Sequence, residues 1–135
     1  MTSPMSWKVG GQERDTSAPV EPELDEQLTE VARGDLTATI DPGGSYDLDP
    51  ETIALDAGAT PSCDNLQFDF SWQVTDPYPA DGVVLAWQIE RNAEPVNVAT
   101  GPTGNSAVGC GALHAVNQGA APFTVAIKYL IGALP

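Results

Sequence analysis

The chain is poor in positive charge. Its 135 residues include 5 Lys and Arg against 19 Asp and Glu, with 1 His, for a formal net charge of −14. Partners held through phosphates or anionic headgroups need clustered Lys and Arg, so nucleic acid and membrane insertion are not expected. Long apolar runs are also missing. The stretch from Phe123 to Leu134 is broken by Lys128 and falls short of the roughly 20 residues that span a bilayer. The opening Met1-Thr2-Ser3-Pro4-Met5-Ser6-Trp7-Lys8 has no apolar segment of the secretory type. This implies either a chain made without that route of export or one whose leader has been removed. With 2 Cys and 1 His, a zinc–thiolate site lacks ligands. No G-x-S-x-G, phosphate-binding glycine loop or HExxH segment occurs, and the chain is not expected to be an enzyme.

What is present is alternation. In Phe68-Asp69-Phe70-Ser71-Trp72-Gln73-Val74 the even positions are apolar, and in Val83 to Glu90 the odd positions are. A period of two sends side chains to opposite faces of a strand, here with large aromatics on the dry face. The turn-rich Thr75 to Gly82 between the runs leads to the expectation that they are antiparallel neighbours. Shorter alternations add further strands. They are Leu36-Ala38-Ile40, Tyr46-Leu48, a run with Ile53 and Leu55, Val96-Val98, a glycine-interrupted stretch from Ser106 to Val116, and Phe123 to Ile131. The expected architecture is all-β: an immunoglobulin-like or jelly-roll antiparallel sandwich of about seven or eight strands over residues 35–135.

Ahead of the sandwich, residues 1–20 are polar, contain Gly, Ser and Pro and show no sustained periodicity, which suits an extended or disordered arm. Trp7 stands out there as a docking anchor, because tryptophan concentrates contact energy at interfaces. Residues 21–34 are expected to form a short amphipathic helix. Pro22 and several acids stand in its first turn, Leu24, Leu28, Val31 and Ala32 form its apolar stripe, and Gly34 ends it. Trp7, Leu24, Leu28 and Val31 are thus the candidate partner-binding residues.

Cys63 and Cys110 are the expected disulfide, set against a pair of buried free thiols. Such a bond would stabilise by about 4 kcal/mol in the chain-entropy account and belongs to an oxidising setting. Asp41, Asp47, Asp49 and Glu51 gather in a turn-rich segment and are candidate calcium ligands, set against ordinary solvated turns. Asp76 and Asp81 flank Tyr78, a pattern that raises glycan chemistry or sugar stacking, although the alternation puts Trp72 and Trp87 in the core. His114 lies alone on an apolar strand, and Arg33-Gly34-Asp35 spells a tripeptide that some adhesion receptors read. No cofactor besides calcium is implied.

After Glu94 only Lys128 and His114 can carry side-chain charge near neutral pH, which suits a packed interface as well as buried strands. Together these features lead to the expectation of a non-enzymatic structural subunit of a virion-like or extracellular assembly, of the capsid decoration or accessory type. It would contact other protein subunits, in a homo-oligomer or capsid lattice, through its arm. The alternative is an immunoglobulin-like binding or adhesion module of a secreted or cell-surface protein, and the third reading is a carbohydrate-binding domain.

Overall fold

A computed structural model describes residues 19–24, 26–59, 65–109 and 111–134. Its elements in chain order are β1 (Thr29–Ile40), β2 (Ser45–Leu48), α1 (Pro50–Asp56), β3 (Leu66–Asp76), β4 (Leu85–Arg91), β5 (Glu94–Thr100), β6 (Thr103–Val108), β7 (Leu113–Asn117) and β8 (Phe123–Ala133). They form two four-stranded sheets, ordered β1-β8-β3-β6 and β2-β7-β4-β5. All pairings are antiparallel. The first strand pairs with the last, the second with the seventh, the third with the sixth and the fourth with the fifth. Only β4 and β5 form a local hairpin; every other connection switches sheets. The hairpin turn holds Asn92 and Ala93 at φ 53° and 66°, the left-handed geometry whose twist matches the strands it joins.

The long alternations lie where their period predicts. Phe68, Phe70, Trp72 and Val74 of β3 and Leu85, Trp87 and Ile89 of β4 point inward, with Trp72 2 % and Trp87 0 % exposed. Strand β8 supplies Phe123, Val125, Ile127 and Ile131, and β7 supplies Leu113 and Ala115. Aromatic rings join the layers: Phe70 and Trp87 lie 4.7 Å apart between centroids, and Trp72 meets Trp87 edge-on at 5.7 Å. Pairs of this geometry contribute about 0.5–1.5 kcal/mol beyond the area they bury. One buried amide ties the loops at this end of the core. Asn117 donates from Nδ2 to the carbonyls of Ile40 and Ala121, each at 2.9 Å, and its Oδ1 accepts from the Gly119 N–H at 2.9 Å.

Three expectations fail. The runs 68–74 and 83–90 are not paired neighbours: β3 lies between β8 and β6 in one sheet and β4 between β7 and β5 in the other, because the turn-rich segment between them crosses from sheet to sheet. No helix spans residues 21–34: the described part of 21–28 has no regular structure, and β1 starts at Thr29. A helix this short is marginal alone in water. Residues 29–40 instead pair with β8, from Thr29↔Ala133 to Ile40↔Phe123 with one register shift between Glu30 and Ala32, and tertiary pairing overrides local propensity. The helix that does form covers Ile53 and Leu55, which were expected on a strand. Asp49 caps it, accepting from the Glu51 N–H and the Thr52 hydroxyl at 3.1 Å each, and Pro50 stands in the first turn. The glycine-interrupted stretch also divides, into β6 and β7, around Gly109 and Gly111.

The two core tryptophans differ in their polar atoms. Trp72 Nε1 donates to the Gly101 carbonyl at 2.9 Å, whereas Trp87 Nε1 is buried without a hydrogen-bond partner among the described residues. Replacing either by Phe removes similar volume. Trp72→Phe also loses a bond worth about 0.5–1.5 kcal/mol, while Trp87→Phe relieves an unpaired donor. Urea denaturation should therefore find Trp72→Phe the less stable variant, by about 1–2 kcal/mol; equal losses would contradict the assignment.

Candidate interaction surface

The outer face of the first sheet is built for close approach. Along β3 and β8 the outward positions include small or uncharged residues, Ser71 on one strand and Ala126, Leu130 and Gly132 on the other, with Lys128 opposite Ser71 as the one cation among them. The extended segment 19–24 runs over this face as a strap. Ser71 Oγ donates to the Val20 carbonyl. The Leu24 side chain lies where a β-carbon on Gly132 would stand, at 2.8 Å. Pro19 and Pro22 are buried, and outward-facing Leu130 is only 4 % exposed.

Charge fastens the same segment. The Glu21 carboxylate accepts from Lys128 Nζ at 3.0 Å and from Arg33 Nη1 at 3.5 Å. Arg33 also makes a forked pair with Glu30, at 2.8 and 3.0 Å. The hydrogen bond from Arg33 holds the Glu30 carboxyl below its ordinary value, and the same contact raises Arg33. These pairs are exposed, so they guide the strap's path more than they stabilise the fold.

Between the strap and β6 lies a groove of about 590 Å³, walled by Val20 to Glu23 on one side and by Asp69, Asn105, Ser106 and Ala107 on the other. Asp69 is half-buried in it. Desolvation pushes its carboxyl above the ordinary aspartate value, opposed by a hydrogen bond from Gln67 Nε2 at 2.8 Å. Among the described residues no cation lies within ion-pair distance of it.

The outer face of the second sheet carries a polar row across all four strands. Asp47 on β2 is opposite His114 on β7, His114 is opposite Gln88 on β4, and Gln88 is opposite Asn97 on β5. His114 Nδ1 donates to Asp47 Oδ1 at 2.7 Å, and Gln88 Nε2 donates to Asn97 Oδ1 at 2.8 Å. The bond from His114, with a second from Ser45, lowers the Asp47 carboxyl below its ordinary value. That stabilisation is present above the unfolded aspartate value and is lost as pH falls through the folded one. Ser45 Oγ donates to the carboxylate at 3.1 Å. The hydroxyl therefore engages the acid, whereas activation of a serine nucleophile requires it to engage the imidazole.

The remaining candidates separate. Asp41 lies in the β1–β2 turn, Asp47 binds His114, and Asp49 with Glu51 begins α1. Among the described residues no group of three or more acidic, His or Cys side chains is arranged to hold an ion, so the structure does not gather the four calcium candidates. Leu24 packs on Gly132 as part of the strap, Leu28 sits in the turn before β1, and Val31 belongs to β1, so they form no helical stripe. Asp76 and Asp81 are exposed around Tyr78, itself 51 % exposed, but the buried Trp72 and Trp87 add nothing to a sugar platform there. Trp7, Cys63 and Cys110 lie outside the described residues. The strand after Cys63 and the strand before Cys110 are hydrogen-bonded neighbours, β3 and β6. Among the described residues no helix is long and apolar enough to cross a membrane.

Arg33-Gly34-Asp35 stands within β1, paired with Leu130, Tyr129 and Lys128. Gly34 is there for packing rather than to end a helix: a β-carbon would collide with the Tyr129 ring. No protein-family model matches the chain, and no curated protein does.

The strap and the polar row were not legible in advance. Their members are far apart in sequence, and the only early signal was the small outward residues Ser71 and Gly132. Two outcomes follow. Gly34→Ala should lower stability by about 1–3 kcal/mol through overpacking against Tyr129, as read by thermal or urea melting. Because the folded state raises the Asp69 value, it favours the protonated acid, a contribution present at low pH and lost as pH rises through the folded value. Asp69→Asn should thus be more stable than the parent near neutral pH, with the advantage shrinking as pH falls through the raised folded value and gone below the ordinary aspartate value of about 4; a pH-independent difference would contradict burial as the cause.

Proposed function

We propose that the chain is a non-enzymatic structural subunit of a multi-subunit assembly of the virion or extracellular type, a jelly-roll sandwich that docks through the segment preceding its strap. The strand order supports the jelly-roll reading. Nested pairing of first with last, inward to a single hairpin, is what results when one long double strand is rolled into two sheets, as in the eight-stranded jelly rolls of capsid and lectin domains. An immunoglobulin-type order would set the first strand beside the second, whereas here its neighbour is the eighth. Fold analogy alone does not give function, so the reading rests on the strap.

The strap is the observation that carries it. Residues 19–24 are stitched to the outer face of the first sheet by Ser71, Lys128, Arg33 and Gly132. They set a fixed point from which residues 1–18, with Trp7, reach a neighbour. A segment that orders on docking gives up entropy at that step but covers a wide surface. The acidic remainder keeps assembled particles dispersed. The adjacency of β3 and β6 agrees with a Cys63–Cys110 bond, suited to an assembly exposed to oxidising surroundings.

Deleting residues 1–18 leaves the strap intact. The truncated protein should melt within a few degrees of the parent yet fail to sediment with the large particle in its native source. Normal incorporation would refute docking through the arm.

A further inference from the structure

The two sheets have four outer edges, those of β1, β6, β2 and β5. An open edge is a template for another strand, and proteins blunt it with charge, proline, bulges or shortness. Three of these edges are blunted. Strand β1 carries Glu30, Arg33 and Asp35, and its register shifts between Glu30 and Ala32. Strand β2 has 4 residues, including Asp47. Strand β5 begins Glu94-Pro95, and its pairing with β4 shifts at Trp87/Gln88. Strand β6, Thr103-Gly104-Asn105-Ser106-Ala107-Val108, has no charge and no proline, and it keeps unbroken register with β3 from Phe68↔Val108 to Gln73↔Thr103. Among the described residues nothing pairs with its outer edge.

We propose that β6 is the self-association edge of this protein: two copies pair there, antiparallel about a two-fold axis, to make one continuous eight-stranded sheet. The backbone sets the geometry. The Val74 N–H donates to the Pro102 carbonyl at 2.8 Å, so that position is a hydrogen-bonded pair. Alternation then turns the N–H and C=O of Gly104, Ser106 and Val108 toward β3, leaving those of Thr103, Asn105 and Ala107 facing away. Their side chains are exposed. A two-fold axis at Asn105 sets it opposite its own copy and Thr103 opposite Ala107, matching both hydrogen bonding and side-chain faces, with about six new backbone bonds.

Charge selects a second copy as the occupant. A molecule of net charge −14 repels itself over most of its surface. From Pro95 to Ile127 there is no Asp, Glu, Lys or Arg, and β6 lies inside that run. The strand itself brings no charge to the seam; the acids near it, Asp69 on β3 and Glu21 and Glu23 of the strap, face the groove on the outer face of the sheet rather than the strand edge. The contact requires nothing from residues 1–18, so it stands or falls separately from docking through the arm.

Sedimentation equilibrium of the full chain should show a concentration-dependent dimer. Asn105→Pro, which removes an outward N–H but no bond to β3, should weaken it by on the order of tenfold or more, and so should Asn105→Lys, which sets like charges across the axis. Across the axis the Asn105 α-carbons stand about 5.5 Å apart, within disulfide reach. Asn105→Cys should therefore give a covalent dimer on mild oxidation, with a 105–105 linkage found by mass spectrometry. Thr103→Cys, about 13 Å from its copy, should give no 103–103 linkage. A monomer at millimolar concentration, a dimer indifferent to both Asn105→Pro and Asn105→Lys, or a dimer abolished by deleting residues 1–18 would each overturn the proposal.

Discussion

The contact of Phe70 and Trp72 with Trp87 between the sheets is the interaction on which the rest of the molecule depends. Only β4 and β5 pair through a local turn, and the other pairings close long stretches of chain. Long-range closure costs entropy before it returns any contact. What offsets that cost is the removal of large aromatic surface from water at the middle of the sandwich, near 25 cal/mol per Å². Once β3 and β4 face each other across these rings, β8 has a partner on one side in β3 and on the other in β1, and the remaining strands extend a frame already set.

The outer faces are then free to differ. On the first sheet, small residues on β3 and β8 let the chain's own strap lie flat, and the strap in turn shields Ser71 and Leu130. On the second sheet the outer face stays wet and carries the row from Asp47 through His114 and Gln88 to Asn97. Distinction between surfaces arises from charge and from strand edges. Acids are spread over the first two thirds of the chain, while residues 95–127, which include β6 and β7, contain no Asp, Glu, Lys or Arg. Of the four sheet edges, that of β6 alone carries neither charge, proline, a register shift nor shortness to guard it.

The alternation of Phe68 to Val74, of Leu85 to Ile89 and of Phe123 to Ile131 identified three strands and their buried faces, because a side chain's face on a strand depends only on its position modulo two. The same reasoning failed at residues 21–34 and 50–56, where helix and strand signals compete over short spans. Leu24, Leu28 and Val31 have helical spacing, and Pro22 with its acids mimics a helix start. Ile53 and Leu55 alternate, yet Asp49 and Pro50 cap a helix there. In both places the outcome depended on whether a neighbouring strand offered hydrogen bonds.

The sequence by itself therefore determined the class of fold, the identity of the core and the acidic, lysine-poor surface, all of which follow from local period and composition. Strand order, the strap over Ser71 and Gly132, the placement of Gly34 beneath Tyr129 and the exposure of β6 were decided only by tertiary structure. Each depends on which distant segments meet, and that is settled by competition among many backbone pairings for one shared core rather than by any residue's own preference.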